Sequence, residues 1–356
     1  MKKIIKILII VVILTAFALP ASAKEADEYI KEFESGLPDE YKGITEDGEL
    51  SDIIGPGALL SEVISIITGR GGEVVSFLLL LLSGVSLMAL SSVGGRLSET
   101  ASIGVSAVVS CVALLRVAPL FIEVCDSVNA MSEVFAVFIP VASAISVSGG
   151  AVNTAAVGAV GMNVTLSVLT HLGTPFFIGL AGFGLAIGIV SSFGDENLAP
   201  LSGSAKRFFI WALGLVCALI MGMMSLQTFV AGTRDSATLR AAKYAASSMI
   251  PMVGSTVAGA MTTLATGLTY AKGIVGVSAV AVLTSVFISP LLVLLLYRCA
   301  LSAATGLAGY LGVKRAQTAY EALRHPFDLF IAVYSVAIIL YIFEITLFLV
   351  TGVGVS

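Results

Sequence analysis

Apolar residues fall in long runs along most of this chain, and charged residues collect in short clusters between the runs. A bilayer core of ~30 Å takes about 20 apolar residues as helix. On that measure the pattern predicts an all-α polytopic membrane protein with about eight transmembrane helices, at 74–93, 101–122, 138–160, 175–193, 208–231, 251–270, 274–296 and 329–350. The third and sixth of these are rich in small residues and fit re-entrant hairpins as well as full spans. Ahead of the runs, Lys2, Lys3 and Lys6 precede an apolar core at 7–18, then Pro20 and Ala21-Ser22-Ala23. That order predicts a cleaved signal peptide over 1–23, with an uncleaved first anchor as the alternative. Cleavage leaves Lys24 outside the cytoplasm. A short acidic extracytoplasmic segment follows over 24–72, with helices expected at 26–35 and 58–68, and the polytopic transmembrane domain occupies 73–356.

The stretch from Arg234 to Val277 departs most from a plain lipid anchor. A basic helix-forming segment leads to Ile250-Pro251, and a run of Gly, Ser, Thr and Ala then continues without charge to Lys272. Proline removes a backbone donor, and small residues let helices approach closely. Broken backbone at membrane depth is tolerated only where protein or a water-filled cavity covers it. Pro251 and Gly254 are therefore candidate packing or gate residues. Pro140 joins them, because Asp126-Ser127 leads to Ile139-Pro140 much as Asp235-Ser236 leads to Ile250-Pro251, each followed by a small-residue run. Units at 101–193 and 207–296 would form an inverted-topology repeat of the kind transporters use. Chance recurrence of Ile-Pro in apolar sequence is the competing reading.

Composition supports the membrane reading. Charged residues make up 12% of the chain against 57% hydrophobic, too little charge to cover a soluble surface of this size. Most of the acid lies in the segment before residue 63, so the net charge of −4 reports that segment. With the mature N-terminus outside, the basic loops around Arg96, Arg234–Lys243 and Arg298–Arg324 fall inside, as the charge rule asks. Lys206-Arg207 is the exception, and Lys272 stands alone in an outside loop. Cys111, Cys125, Cys217 and Cys299 share no CxxC spacing and read as free thiols.

No nucleotide loop, zinc-protease motif or nucleophile elbow occurs, and the glycine-rich piece at 179–188 is a helix-packing pattern rather than a dinucleotide fingerprint. No enzyme activity, cofactor, metal site or nucleic-acid partner is expected. Ionisable residues at membrane depth are costly and usually partnered. Arg116 and Glu123, seven positions apart, share one helical face; Arg298 sits at a span end and is expected to snorkel. Glu344 lies deeper. Glu344 and Arg116 are the candidate buried charges, with a structural pair to an arginine and a proton relay as the two readings of Glu344. Arg234, Arg240 and Lys243 form either a topology anchor or a docking face for a cytoplasmic partner. Ionisable groups beside the expected helix breaks are absent, which argues against ion coupling.

The segments LRAAKYAASSMIPMVG (239–254) and KGIVGVSAV (272–280), with the small-residue span between them, resemble the stage III sporulation protein AE family of endospore-forming bacteria. The resemblance implies a permease- or channel-like component of the transport apparatus between mother cell and forespore. It places the protein in the mother-cell membrane around the forespore. The partners it implies are other proteins of the same operon: a secretion-type ATPase and ring-forming proteins of the intermembrane space. A structural scaffold of that apparatus and a stand-alone secondary transporter are the alternatives.

Overall fold

The computed structural model describes residues 26–39, 56–91, 95–170, 199–249 and 254–351, with the isolated helical positions 179, 182, 186 and 190. The expected signal peptide, Pro251, His171 and nearly all of the span at 175–193 lie outside the described residues. The described residues form seven helices and no strand. These are α1 (Ala26–Gly36), α2 (Pro56–Ser91), α3 (Gly95–Ser148), α4 (Val152–Val168), α5 (Ala199–Met249), α6 (Gly254–Tyr310) and α7 (Lys314–Val350). Five of them hold stretches long and apolar enough to cross a membrane: Leu60–Leu90, Thr100–Ser148, Lys206–Ala241, Leu268–Tyr310 and Lys314–Val350.

The expected eight spans differ from this in two places. The second span and half of the third are one unbroken helix, α3, which breaks only after Ser148. The sixth and seventh spans are likewise one helix, α6, with Lys272 inside it rather than in a loop. A single buried or half-exposed charge does not interrupt backbone hydrogen bonding, so charge was a poor marker of helix ends here. At 1.5 Å per residue, the 57 residues of α6 extend about 85 Å, far beyond a ~30 Å hydrocarbon core.

At the two reversals within the described residues, glycine makes the turn. At the end of α3, Ala151 N–H bonds Ser146 O and Gly150 N–H bonds Val147 O, with Gly150 at φ 81°. At the end of α6, Val313 N–H bonds Ala308 O and Gly312 N–H bonds Gly309 O, with Gly312 at φ 70°. Both are left-handed caps that satisfy the last carbonyls and let the next helix start at once. They create two antiparallel hairpins, α3–α4 and α6–α7.

α7 is the centre of the bundle. Tyr320, Phe327, Tyr334, Tyr341 and Phe348 recur every seventh residue and are all buried. A seven-residue repeat keeps one seam of a helix facing its partners. The hydroxyls are keyed individually: Tyr320 donates to Leu81 O of α2 at 2.9 Å, Tyr334 bonds Ser127 of α3, and Tyr341 bonds Ser132 of α3 at 3.0 Å. Phe121 stacks on Phe330 at 4.2 Å and Phe138 meets Phe348 edge-on at 5.3 Å. Aromatic pairs of this geometry contribute about 0.5–1.5 kcal/mol each beyond area burial. The pairings Ser102–Arg315, Phe121–Phe330, Ser132–Tyr341 and Phe138–Phe348 run in the same order on both chains, so α3 lies parallel to α7.

α5 is also parallel to α7. Lys206 bonds Asp328 at one level, and Thr228 shares a cavity with Glu344 farther along. The layout of eight spans makes these two segments antiparallel. Fusing two of its spans into α6 removes one crossing and reverses the relation. Lys206-Arg207 thereby joins the end of the bundle that holds Lys314, and Arg234–Lys243 moves to the other end. The inversion expected of the repeat is not met: its units begin on α3 and α5, and both helices run parallel to α7; Pro140 lies exposed inside α3. α5 is the most peripheral of the long helices, with Phe208, Trp211, Leu219, Leu226 and Phe229 more than 60% exposed, a surface that suits lipid. Phe208 and Trp211 sit beside Lys206-Arg207, the aromatic and basic pairing found at membrane interfaces.

Candidate functional site

Among the described residues, three charged side chains are buried: Asp235 at 4% exposure, Lys272 at 3% and Glu344 at 1%. They come from α5, α6 and α7: Asp235 contacts the start of α4, Glu344 its last turn, and Lys272 the end of α7. α4 starts without a capping side chain of its own, because its N-cap is Ala151. The first donors of a helix have no partner within it. Asp235 supplies one from α5: its Oδ1 accepts from Asn153 N at 3.1 Å and Asn153 Nδ2 at 2.8 Å, and its Oδ2 accepts from Thr154 N at 2.7 Å. A carboxylate at a helix N-terminus also opposes the positive end of the helix dipole. Asp235 is thus an N-cap donated across an interhelical contact.

Glu344 sits on the buried seam of α7, four residues before Phe348. Its Oε1 accepts a hydrogen bond from Thr165 of α4 at 2.7 Å. Among the described residues no cation lies within ion-pair distance of it, so the expected arginine pair is not formed. Arg116 is exposed on α3. Lys272 reaches the end of α7, where its Nζ donates to Thr351 O, lies 3.4 Å from Thr351 Oγ1, and stands 4.7 Å over the Phe348 ring.

Glu344 lines a cavity of about 20 Å3 between α3, α4, α5 and α7, as do Thr154 and Thr351, the contacts of Asp235 and Lys272. Its wall includes Ser143, Ser146, Thr154, Thr228, Glu344 and Thr351. The Thr228 hydroxyl is buried and has no hydrogen-bond partner. Met224 closes one side against Gly161, where a Cβ would come within 1.7 Å of the methionine methyl, so any larger residue there requires the flexible Met224 side chain to move aside. The size admits one water-sized occupant. The break between α3 and α4 lies apart from those expected at Pro140 and Pro251, and at this one Asp235 stands beside the start of α4.

A second polar cluster lies at the other level of the bundle. Asp328 of α7 accepts from Lys206 of α5 at 2.7 Å and from Arg298 of α6. Arg298 is thus held in an ion pair rather than snorkelling freely. Glu123, paired with Arg70 at 2.8 Å, is half-exposed.

The other sequence candidates separate. Arg234 and Arg240 are exposed on α5, and Lys243 lies on the same helix with its side chain outside the described residues. Gly254 opens α6, and its surroundings are also outside the described side chains. The sequence reading passed over Asp235, using it only as a repeat marker, and placed Lys272 in a loop. The signal that was available for Glu344 and its seam is the seven-residue aromatic spacing on α7.

The stage III sporulation protein AE family model matches residues 57–354. No curated protein and no solved structure matches the chain. The matched residues run from the first turn of α2 to beyond the end of α7 and take in the cavity and both charge clusters. The chain belongs to the stage III sporulation protein AE family, and is a sporulation-related membrane protein.

Proposed function

We propose that the protein is a permease-like, non-catalytic membrane component of the apparatus that connects mother cell and forespore during sporulation. One observation carries the reading: a helix break inside the bundle, lined by hydroxyls and flanked by three buried charges. Charge of this kind is expensive in an apolar bundle and is characteristic of pathways and relays rather than of plain anchors. The half-helix whose N-terminus is capped from a neighbour resembles the broken helices around transporter sites. The protein would sit in the mother-cell membrane around the forespore. Its partners would be the secretion-type ATPase and the ring-forming intermembrane proteins of the same operon.

The parallel course of α5 and α7 bears on which partners meet which end. The end holding Arg96, Lys206, Arg207, Arg298, Lys314, Arg315 and Arg324 carries more basic residues than the end holding Lys31, Arg234, Arg240, Lys243 and Lys272. By the charge rule the first end faces the mother-cell cytoplasm and the ATPase, and the second faces the intermembrane space. The docking face at Arg234 and Arg240 then serves an intermembrane partner rather than a cytoplasmic one.

A scaffold is the competing reading, and two measurements on Glu344→Ala separate them. A permease part should keep its membrane level and its co-purifying partners while heat-resistant spore yield falls. Spore loss that tracks loss of co-purification would identify a scaffold.

A further inference from the structure

The cavity beside Glu344 has an unbalanced charge and one wall hydroxyl, that of Thr228, without a partner. Glu344 reaches it directly, Asp235 through Thr154, and Lys272 through Thr351 and Phe348. Two carboxylates face one ammonium, which leaves one negative charge without an opposite when all three are ionised. Asp235 is engaged by three donors and Lys272 by Thr351. Glu344 receives a single hydrogen bond, from Thr165, among the described residues. An ionised carboxylate in a dry interior is costly unless it is paired. Thr228, on the wall of the same cavity, has a buried, unpartnered hydroxyl, and such a group costs about 1–3 kcal/mol while it stays unsatisfied.

A water in the cavity would satisfy the hydroxyl and leave the charge. A divalent ion would need more carboxylates than are present, since among the described residues no three His, Cys, Asp or Glu come together. The polar groups of the wall are all oxygen, which hard cations prefer, and the volume of about 20 Å3 holds one ion of roughly water size. We propose that this cavity is a binding site for a single alkali cation of sodium size, held by the Glu344 carboxylate with the hydroxyls of Thr228, Ser143 and Ser146. The site binds its ion whether or not the bundle conducts a substrate, so it stands or falls separately from the permease reading.

The test uses the purified full-length protein in detergent at one pH and one ionic strength. Sodium chloride replaces N-methylglucamine chloride stepwise while the unfolding temperature is followed. The temperature should rise with sodium and saturate, as binding to the folded state alone requires. Glu344→Gln, which keeps the shape of the side chain, should lose the rise, and Thr228→Val should need more sodium for the same rise. Binding of radioactive sodium to the unsubstituted protein, displaced by excess unlabelled sodium, gives a readout that does not depend on either variant folding. An unfolding temperature indifferent to sodium together with no displaceable label would overturn the assignment, as would an undiminished rise in Glu344→Gln. A protonated-carboxyl infrared band, lost in Glu344→Gln and unaffected by sodium in the parent, would also overturn it, because Glu344 would then hold only its own proton.

Discussion

Asp235 ties two helices together with one carboxylate, and its removal reaches beyond its own helix. Asp235→Ala leaves the Asn153 and Thr154 amides without their acceptor, the second of them in a buried place. Loss of a cap of this kind costs about 1–2 kcal/mol, with the stranded Thr154 amide placing it toward the upper end of that range. Asp235→Asn keeps one accepting oxygen and should cost less. Thermal unfolding of the detergent-solubilised variants should rank them parent, Asn, Ala; equal stability of the parent and Asp235→Ala would show that the cap is replaced by solvent. The two glutamates on α3 and α7 offer a sharper contrast. Glu123 forms a half-exposed pair with Arg70, of the kind worth about 0–1 kcal/mol. Glu344 is buried, and truncating it strands the Thr165 hydroxyl at a fully enclosed position. Glu344→Ala should therefore reduce protein level or spore yield more than Glu123→Ala, and indistinguishable effects in the two strains would place Glu344 in contact with water.

Helix against helix, α4 and α5 meet closely where the Met224 side chain covers Gly161. A Cβ on Gly161 collides with Met224, whereas one on Gly222 of α5 meets nothing within 4 Å. Gly161→Leu should thus separate the two helices and cost ~1–3 kcal/mol or more by overpacking, while Gly222→Ala is tolerated. Retention of the folded membrane protein at parental level in both would refute the close contact. The elements themselves were partly legible in the sequence. Apolar run length identified an all-helical membrane chain, and α1 was placed to within a residue. Helix continuity was not legible, because Lys272 and the acidic residues Glu123, Asp126 and Glu133 looked like loop markers. In the structure Lys272 finds Phe348 and Thr351, and Glu123 finds Arg70, so these charges are accommodated on helices instead of ending them. The candidate site was legible only at Glu344. Its other members are ordinary Ser, Thr and Asp in sequence, and only the crossing of four helices assembles them.

For the molecule as a whole, the parallel courses of α3, α5 and α7 dictate which residues share a side. In a protein freed of its native cysteines, Thr100→Cys and Lys314→Cys should react with an impermeant maleimide from one face of the membrane, and Arg234→Cys from the opposite face. Labelling of Arg234→Cys together with Lys314→Cys would restore the antiparallel arrangement of α5 and α7. The aromatic seam of α7 carries a different consequence. A pattern that repeats every seven residues is nearly the same after a slide of seven, about 10 Å along the axis, so rings alone would let the rod mesh at more than one notch. The tyrosine oxygens abolish that degeneracy, since each has its own counterpart: a carbonyl on α2 for Tyr320, and serines five residues apart on α3 for Tyr334 and Tyr341. Five does not match seven, and the mismatch works as a vernier that closes at a single notch. A seam of phenylalanines would keep the grip and lose the address.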